Sequence, residues 1–360
     1  MASLRGVVPA VVDAHIHQWD PLTTPRSASP LAPLYRRAPR LMTTLMPVLL
    51  SRGDRELIRT PENAARPYLP PNYSADVAGV PDAVGVPVDA VVHVQADWKT
   101  KEPLGPADET SWLETLPWGM DGNPQLAAIV GHADPTAPHF PDLLDAHASA
   151  SIRFRGVRTV AAWHPDKGVK RYGVDEGLLC SPEFLKGFAA LAERGLTFDA
   201  YIYANQLSDV SVLAREYPDT TIVLDHFAPL VGWLGRMGRS TGRSDQERSE
   251  LLRRWRDDIS DLAGHRNVVA KLSGLAFPML GMPTTRWSRR DVIAAVAPLV
   301  HHTTEVFGPD RLAWGSNFPM DRPIADYPSV VGALVDLLAP RGHELLRKVF
   351  RENAQRVYGF

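Results

Sequence analysis

A chain of 360 residues, 44% hydrophobic and 22% charged, has ordinary proportions for a soluble folded protein and is long enough to bury a core without disulfides or a structural metal. Lys plus Arg number 39 against 41 Asp plus Glu, a net charge of −2, which argues against nucleic acid or an anionic membrane as partner, because both draw on a concentrated basic field. The single cysteine, Cys180, excludes an internal disulfide and fits a reducing, cytoplasmic compartment. Residues 1–10 lack the apolar run of a signal peptide, and the apolar stretch 41–50, broken by Thr43, Thr44 and Pro47, is too short to span a bilayer.

In chain order, eight short apolar runs read as strands buried on both faces: 11–17, 90–97, 126–134, 154–160, 197–203, 221–227, 268–274 and 311–319. Residues 182–194, 207–217, 247–263 and 289–307 carry helical periodicity, and 343–358 make a closing helix. Ser181 before Pro182 is a helix start, and Gly195 a helix stop. The alternation predicts a (β/α)8 TIM barrel, with 1–360 as a single domain. An open doubly wound sheet is the alternative, opposed by the lack of a Gly-rich phosphate turn after the first strand.

Residues 20–72 are rich in Pro, Arg and Ser, yet they carry Leu41, Met42, Leu45 and Met46, which must pack somewhere. They read as a lid-like insertion after the first strand. Extended rim loops follow strand six (228–248, Gly- and Arg-rich) and strand seven (275–287, with Phe277, Met279, Leu280 and Met282). Together the three segments are expected to form an apolar cover over a substrate. Otherwise they pack on a second copy of the chain, as in a homo-oligomer.

In such a barrel the chemistry gathers at the C-terminal strand ends. Polar residues converge there: Asp13, His15 and His17; Gln95; Arg155 and Arg158; Tyr201; His226; and Asn317, with Asp321 just beyond. Strand alternation places His15 and His17 on one face, Asp13 below them, and Ala14 and Ile16 toward the helices. Two imidazoles on one face suit a divalent metal such as zinc.

The ordered set of Asp13-Ala14-His15-Ile16-His17-Gln18-Trp19-Asp20-Pro21, His93-Val94-Gln95-Ala96, Arg155-Gly156-Val157-Arg158, Leu224-Asp225-His226-Phe227, Lys271-Leu272-Ser273-Gly274 and Trp314-Gly315-Ser316-Asn317-Phe318-Pro319 spans most of the chain. It resembles the amidohydrolase-related barrel proteins that include sugar lactonases and 2-pyrone-4,6-dicarboxylate lactonase. The resemblance implies a hydrolase of a cyclic ester with a divalent metal, zinc, at His15, His17 and His226. It implies Arg155 and Arg158 as the grip on a substrate carboxylate, a task suited to a bidentate guanidinium. Tyr201 and Gln95 are read as further contacts to a small-molecule substrate, anionic with an apolar part.

One position departs from the pattern. The superfamily usually carries an aspartate at the end of strand eight, where it activates water. Asn317 stands there and cannot accept that proton. Asp321, swinging in from the following loop, is the expected base; His226 is the other choice. Without the anionic ligand, the metal is expected to be weak or dispensable. Two further readings stay open: non-oxidative decarboxylation, which related barrels carry out with the same histidines, and a barrel that binds a ligand without turning it over.

Overall fold

The computed structural model describes residues 1–173, 175–282 and 286–360. Residues 283–285, within the rim loop expected after strand seven, lie outside the described residues. Eight parallel strands pair in sequence order: β1 (Val11–Ile16), β2 (Val88–Val94), β3 (Gln125–His132), β4 (Phe154–Val160), β5 (Thr197–Tyr201), β6 (Ile222–Leu224), β7 (Val268–Leu272) and β8 (Leu312–Trp314). The ends meet where Asn317 N donates to His15 O at 2.8 Å and His17 N to Phe318 O at 2.9 Å, so the sheet is a nearly closed (β/α)8 TIM barrel.

Two apolar layers follow from strands buried on both faces. Val12, Ala14, Val92, Val94, Ala128, Val130, Val223 and Ala313 fill the interior, and Ala354 and Tyr358 of the helix Asn353–Tyr358 plug its bottom. Val11, Val91, Ile129 and Val157 face outward onto the helical ring.

This layering corrects one expectation. Ala14 packs in the interior, and Asp13 points out of it, accepting from the phenols of Tyr73 and Tyr327 at 2.9 Å each. A shift in β1–β2 register between Asp13 and Ile16 then resets the phase and turns His15 inward. An irregularity of this kind re-aims a side chain at a barrel rim, and simple alternation cannot foresee it.

Strands β6 and β8 end earlier than expected. After Leu224 the backbone turns through His226, Phe227 and Ala228 at φ of 54°, 41° and 54°, and after Trp314 it reaches Asn317 at φ 60°. Left-handed conformations at non-glycine residues cost about 1 kcal/mol or more each and gather where a site demands them.

The 20–72 insertion folds into short helices, Ala32–Arg37, Pro39–Leu49, Arg52–Ile58 and Pro61–Ala65. Polar ties fasten it across the rim. Lys99 N donates to Pro25 O (2.8 Å) and Gly238 N to the Glu56 carboxylate (2.9 Å). Arg59 donates to Met282 O (2.8 Å), and Asp54 pairs with Lys170 at 2.6 Å.

Candidate active site

A cavity of about 660 Å³ opens at the C-terminal ends of the strands, roofed by the insertion. His17, Gln95, Arg158, Tyr201, His226 and Asn317 line it. A second depression, about 420 Å³ around Arg256, His301 and His302, lies on the outer helices, where no strand end reaches.

The three expected imidazoles come together: ring centroids are 5.0 Å apart for His15–His17 and 4.6 Å for His15–His226. They do different things. His17 Nδ1 is 2.7 Å from Val94 O; a carbonyl only accepts, so Nδ1 carries the proton and Nε2 the lone pair. His226 sits with Nδ1 2.8 Å from Ser273 Oγ, its ring between Tyr201 and Phe277 at 5.7 and 5.5 Å. His15 lies beneath the cavity in a buried charge network whose members stand out in the sequence as polar residues within the strands, but whose pairing only the structure gives. Its Nδ1 is 3.2 Å from Asp225 Oδ1 and 3.3 Å from Lys271 Nζ, while Arg158 approaches its Nε2 at 3.4 Å. Lys271 also binds Asp199 at 2.5 Å, and Tyr358 donates to Asp199 from below at 3.0 Å. The available signal was a lysine and an aspartate inside otherwise apolar strand runs, since buried charges rarely occur unpaired.

Burial sets the protonation states. It holds His15 and His17 well below the usual imidazole value, helped for His15 by Lys271 and for His17 by Arg158. His226 is lowered by burial to about 3, with Asp225 pulling the other way. All three rings are therefore neutral at working pH. Burial raises Asp199 despite Lys271 beside it. Burial would raise Asp225 as well, but His15 and Lys271 hold it well below the usual carboxylate range.

Two expected residues do not reach the cavity. Arg155 lies at the opposite end of β4 and spends its guanidinium on the carbonyls of Ile152 (2.6 Å) and Phe154 (2.9 Å). Asp321 is sealed behind Asn317, accepting from its amide at 2.7 Å and from Ala276 N at 2.8 Å, and burial pushes its carboxyl up to about 8. It holds the Asn317 amide, is fully buried and does not line the cavity. Arg158 does face the cavity. It donates to Gln95 O (2.8 Å) and Asp225 (3.3 Å), and its enclosed Nε has no partner. The expected cover is also narrower: of the rim loops after β6 and β7, only Phe277 lines the cavity among the described residues.

His15, Asp225 and His226 form a candidate metal site, with ligand atoms within 4.8 Å of one another. Neutral imidazoles and an anionic carboxylate are the donors a divalent cation takes. The charge around them opposes one. Lys271 and Arg158 stand within 3.4 Å of His15, and an ion would have to displace or outbid both.

A family model described as Amidohydrolase matches residues 12–360. The chain is 29% identical over 349 residues to the uncharacterized protein y4mH of Sinorhizobium fredii, covering 97% of this chain and 98% of that one. It is 28% identical over 197 residues to the L-fucono-1,5-lactonase of Burkholderia ambifaria, spanning 55% of this chain and 57% of the lactonase. An amidohydrolase of Burkholderia multivorans with bound HEPES shares the fold at TM-score 0.68 and 23% identity, covering 98% of this chain and 99% of that one. A second crystal form of that protein, at 22% identity, TM-score 0.67 and the same coverage, contains zinc.

Proposed function

This chain belongs to the amidohydrolase family, and from that premise we propose that it hydrolyses a lactone or related cyclic ester. The observation that carries the reading is a guanidinium, Arg158, lining the same cavity as two neutral imidazoles, His17 and His226. The partial match to a lactonase agrees with it.

Arg158 holds the carbonyl oxygen and balances the negative charge that builds on it. His226 takes a proton from water as the water oxygen bonds to the carbonyl carbon. The imidazolium so formed is stabilised by Asp225, whose negative charge already opposes the effect of burial on that ring. The ring C–O bond then breaks, and the departing alkoxide takes the proton from His226, leaving a hydroxy acid. Asn317, fixed by Asp321, donates an amide hydrogen bond and does not act as base. Tyr201 and Gln95 flank the bound ester.

The donor set of His15, Asp225 and His226 and the zinc in the Burkholderia structure argue for a divalent cation, which when bound would supply Lewis acidity. Lys271 and Arg158 already place positive charge there, so we read the ion as dispensable. Non-oxidative decarboxylation would use the same floor without a hydrolytic water.

Incubation with a panel of lactones, monitored for acid release and for carbon dioxide, separates the two. The reading expects acid release with gain of one water, lost in His226→Gln. Carbon dioxide evolution from aromatic acids, with every lactone inert, would overturn it.

A further inference from the structure

The insertion contributes one cation that the hydrolytic scheme leaves unused. Arg26 is half-buried in the cavity wall, its guanidinium carbon 4.2 Å above the centre of the Trp19 ring. Trp19 is pinned by a hydrogen bond from its indole to Arg66 O (2.9 Å), and the Arg26 backbone N–H by one to Ser29 Oγ (2.9 Å). The stack and this backbone bond set the guanidinium in place. Its Nε and Nη1 are nevertheless closed off from solvent and have no hydrogen-bond partner.

The neighbouring cations of the cavity wall are engaged. Lys99 pairs with Asp97 at 2.7 Å and Lys170 with Asp54 at 2.6 Å. Arg171 donates to the carbonyls of His164 (2.8 Å) and Pro165 (3.0 Å). Asp97 and Glu109 lend Arg26 negative charge at a distance but hydrogen-bond to other groups: Asp97 to Lys99 and Ser27 N, Glu109 to Ala96 N. Burial lowers Arg26 only to about 10, so it remains a cation at neutral pH. Enclosed donors without acceptors are costly, and a planar fork of donors is matched by a planar anion, a carboxylate.

The roof beside Arg26 is apolar: Leu31, Met42, Met46, Leu49, Leu50 and Leu57 all line the cavity. Sugar hydroxyls placed against these side chains would lose water and gain no partner. An alkyl or aryl body would be favoured there.

We propose that Arg26 is a carboxylate-binding subsite and that the substrate is an amphipathic cyclic ester, an alkyl or aryl body bearing a carboxylate, in place of a polyhydroxylated sugar lactone. This rests on the hydrolysis proposed above for its chemistry, but its binding arm stands apart from turnover.

Titration calorimetry on the full chain with nonanoate, 1-nonanol and gluconate tests it. Nonanoate is expected to bind more tightly than gluconate. Arg26→Gln is expected to weaken nonanoate at least about tenfold, the scale of one charged hydrogen bond, and to leave 1-nonanol unchanged. Arg26→Lys should recover part of the loss. Met42→Ser with Met46→Ser should weaken nonanoate and 1-nonanol together, with the thermal midpoint confirming that both variants fold. Equal nonanoate affinity in wild type and Arg26→Gln, or gluconate as the tighter ligand, would overturn the assignment. Arg26-dependent binding by a protein that hydrolyses no lactone would instead remove the catalytic reading and keep the subsite.

Discussion

The floor and the roof of the cavity are built on opposite principles. The floor is a set of buried charges at strand ends, Asp199, Asp225, Lys271 and Arg158, each held by at least one ion pair or hydrogen bond and interlocked with His15. The roof is a run of short helices that buries Met42, Met46 and Leu57, leaves Leu41 and Val48 exposed, and is fastened to the rim by polar ties. In the proposed hydrolysis, the network of mutually dependent charges sets where a proton and an oxyanion go. On the proposed reading, the apolar cover above it selects which molecule fits. On that reading, changes in the insertion alter substrate choice and leave the chemistry beneath unchanged.

That division is tested first at its strongest point. His226→Gln is expected to lower kcat on a hydrolysed lactone by about 10²–10⁴-fold, the worth of a general base, while the urea midpoint stays close to that of the wild type. An equal fall in stability would mean that the residue belongs to the scaffold.

Lys271→Met comes next, since it leaves Asp199 buried without its cation. A loss of about 3–5 kcal/mol in urea-induced unfolding is expected. A change below about 1 kcal/mol, the range of an exposed pair, would show that the floor network is not a unit.

Glu109, beneath the edge where floor meets roof, is raised from the usual 4.5 to about 7, chiefly by burial. The folded state thus holds a proton there that the unfolded chain releases nearer 4.5. The stability contributed by that proton is complete below the unfolded value and is lost as pH rises through about 7. Glu109→Gln keeps an acceptor for Ala96 N and is expected to gain about 1–3 kcal/mol over wild type between those limits, with no gain below them. A flat difference across the range would show that Glu109 is not so perturbed.

The smallest effect belongs to the roof. Arg59→Met removes the tie to Met282 O and should cost about 1 kcal/mol, seen as faster limited proteolysis within 20–72 with intact core helices. Cleavage spread over the whole chain would contradict a separately tied cover.

The barrel and the meeting of its three histidines were legible in the sequence; the ion pairs of the floor were not. Eight doubly buried strands announce themselves as apolar runs, and the closeness of the rings of His15, His17 and His226 follows once those runs close into a barrel. The facing of Asp13 and Ala14 was not legible, because a single register shift inverts a period-two pattern. Asp321 looked available because sequence shows its distance along the chain from Asn317 and hides the backbone N–H of Ala276 that captures it. Arg155 and Arg158 looked equivalent, yet three residues along one strand carry them to opposite ends of the barrel. The roof was hardest to read: apart from Pro39–Leu49 its helices are too short to show a period, and Arg26 gains meaning only from the acceptors it lacks.

The claim most exposed to refutation is that Arg158 and Lys271 supply the positive charge of the floor. It is met directly by assaying chelator-treated, dialysed protein while its metal content is determined by elemental analysis. Turnover retained without stoichiometric metal, and falling when zinc is added to compete for His226 and Asp225, is the expected result. Turnover that disappears with the metal and returns in proportion to zinc bound would contradict the account.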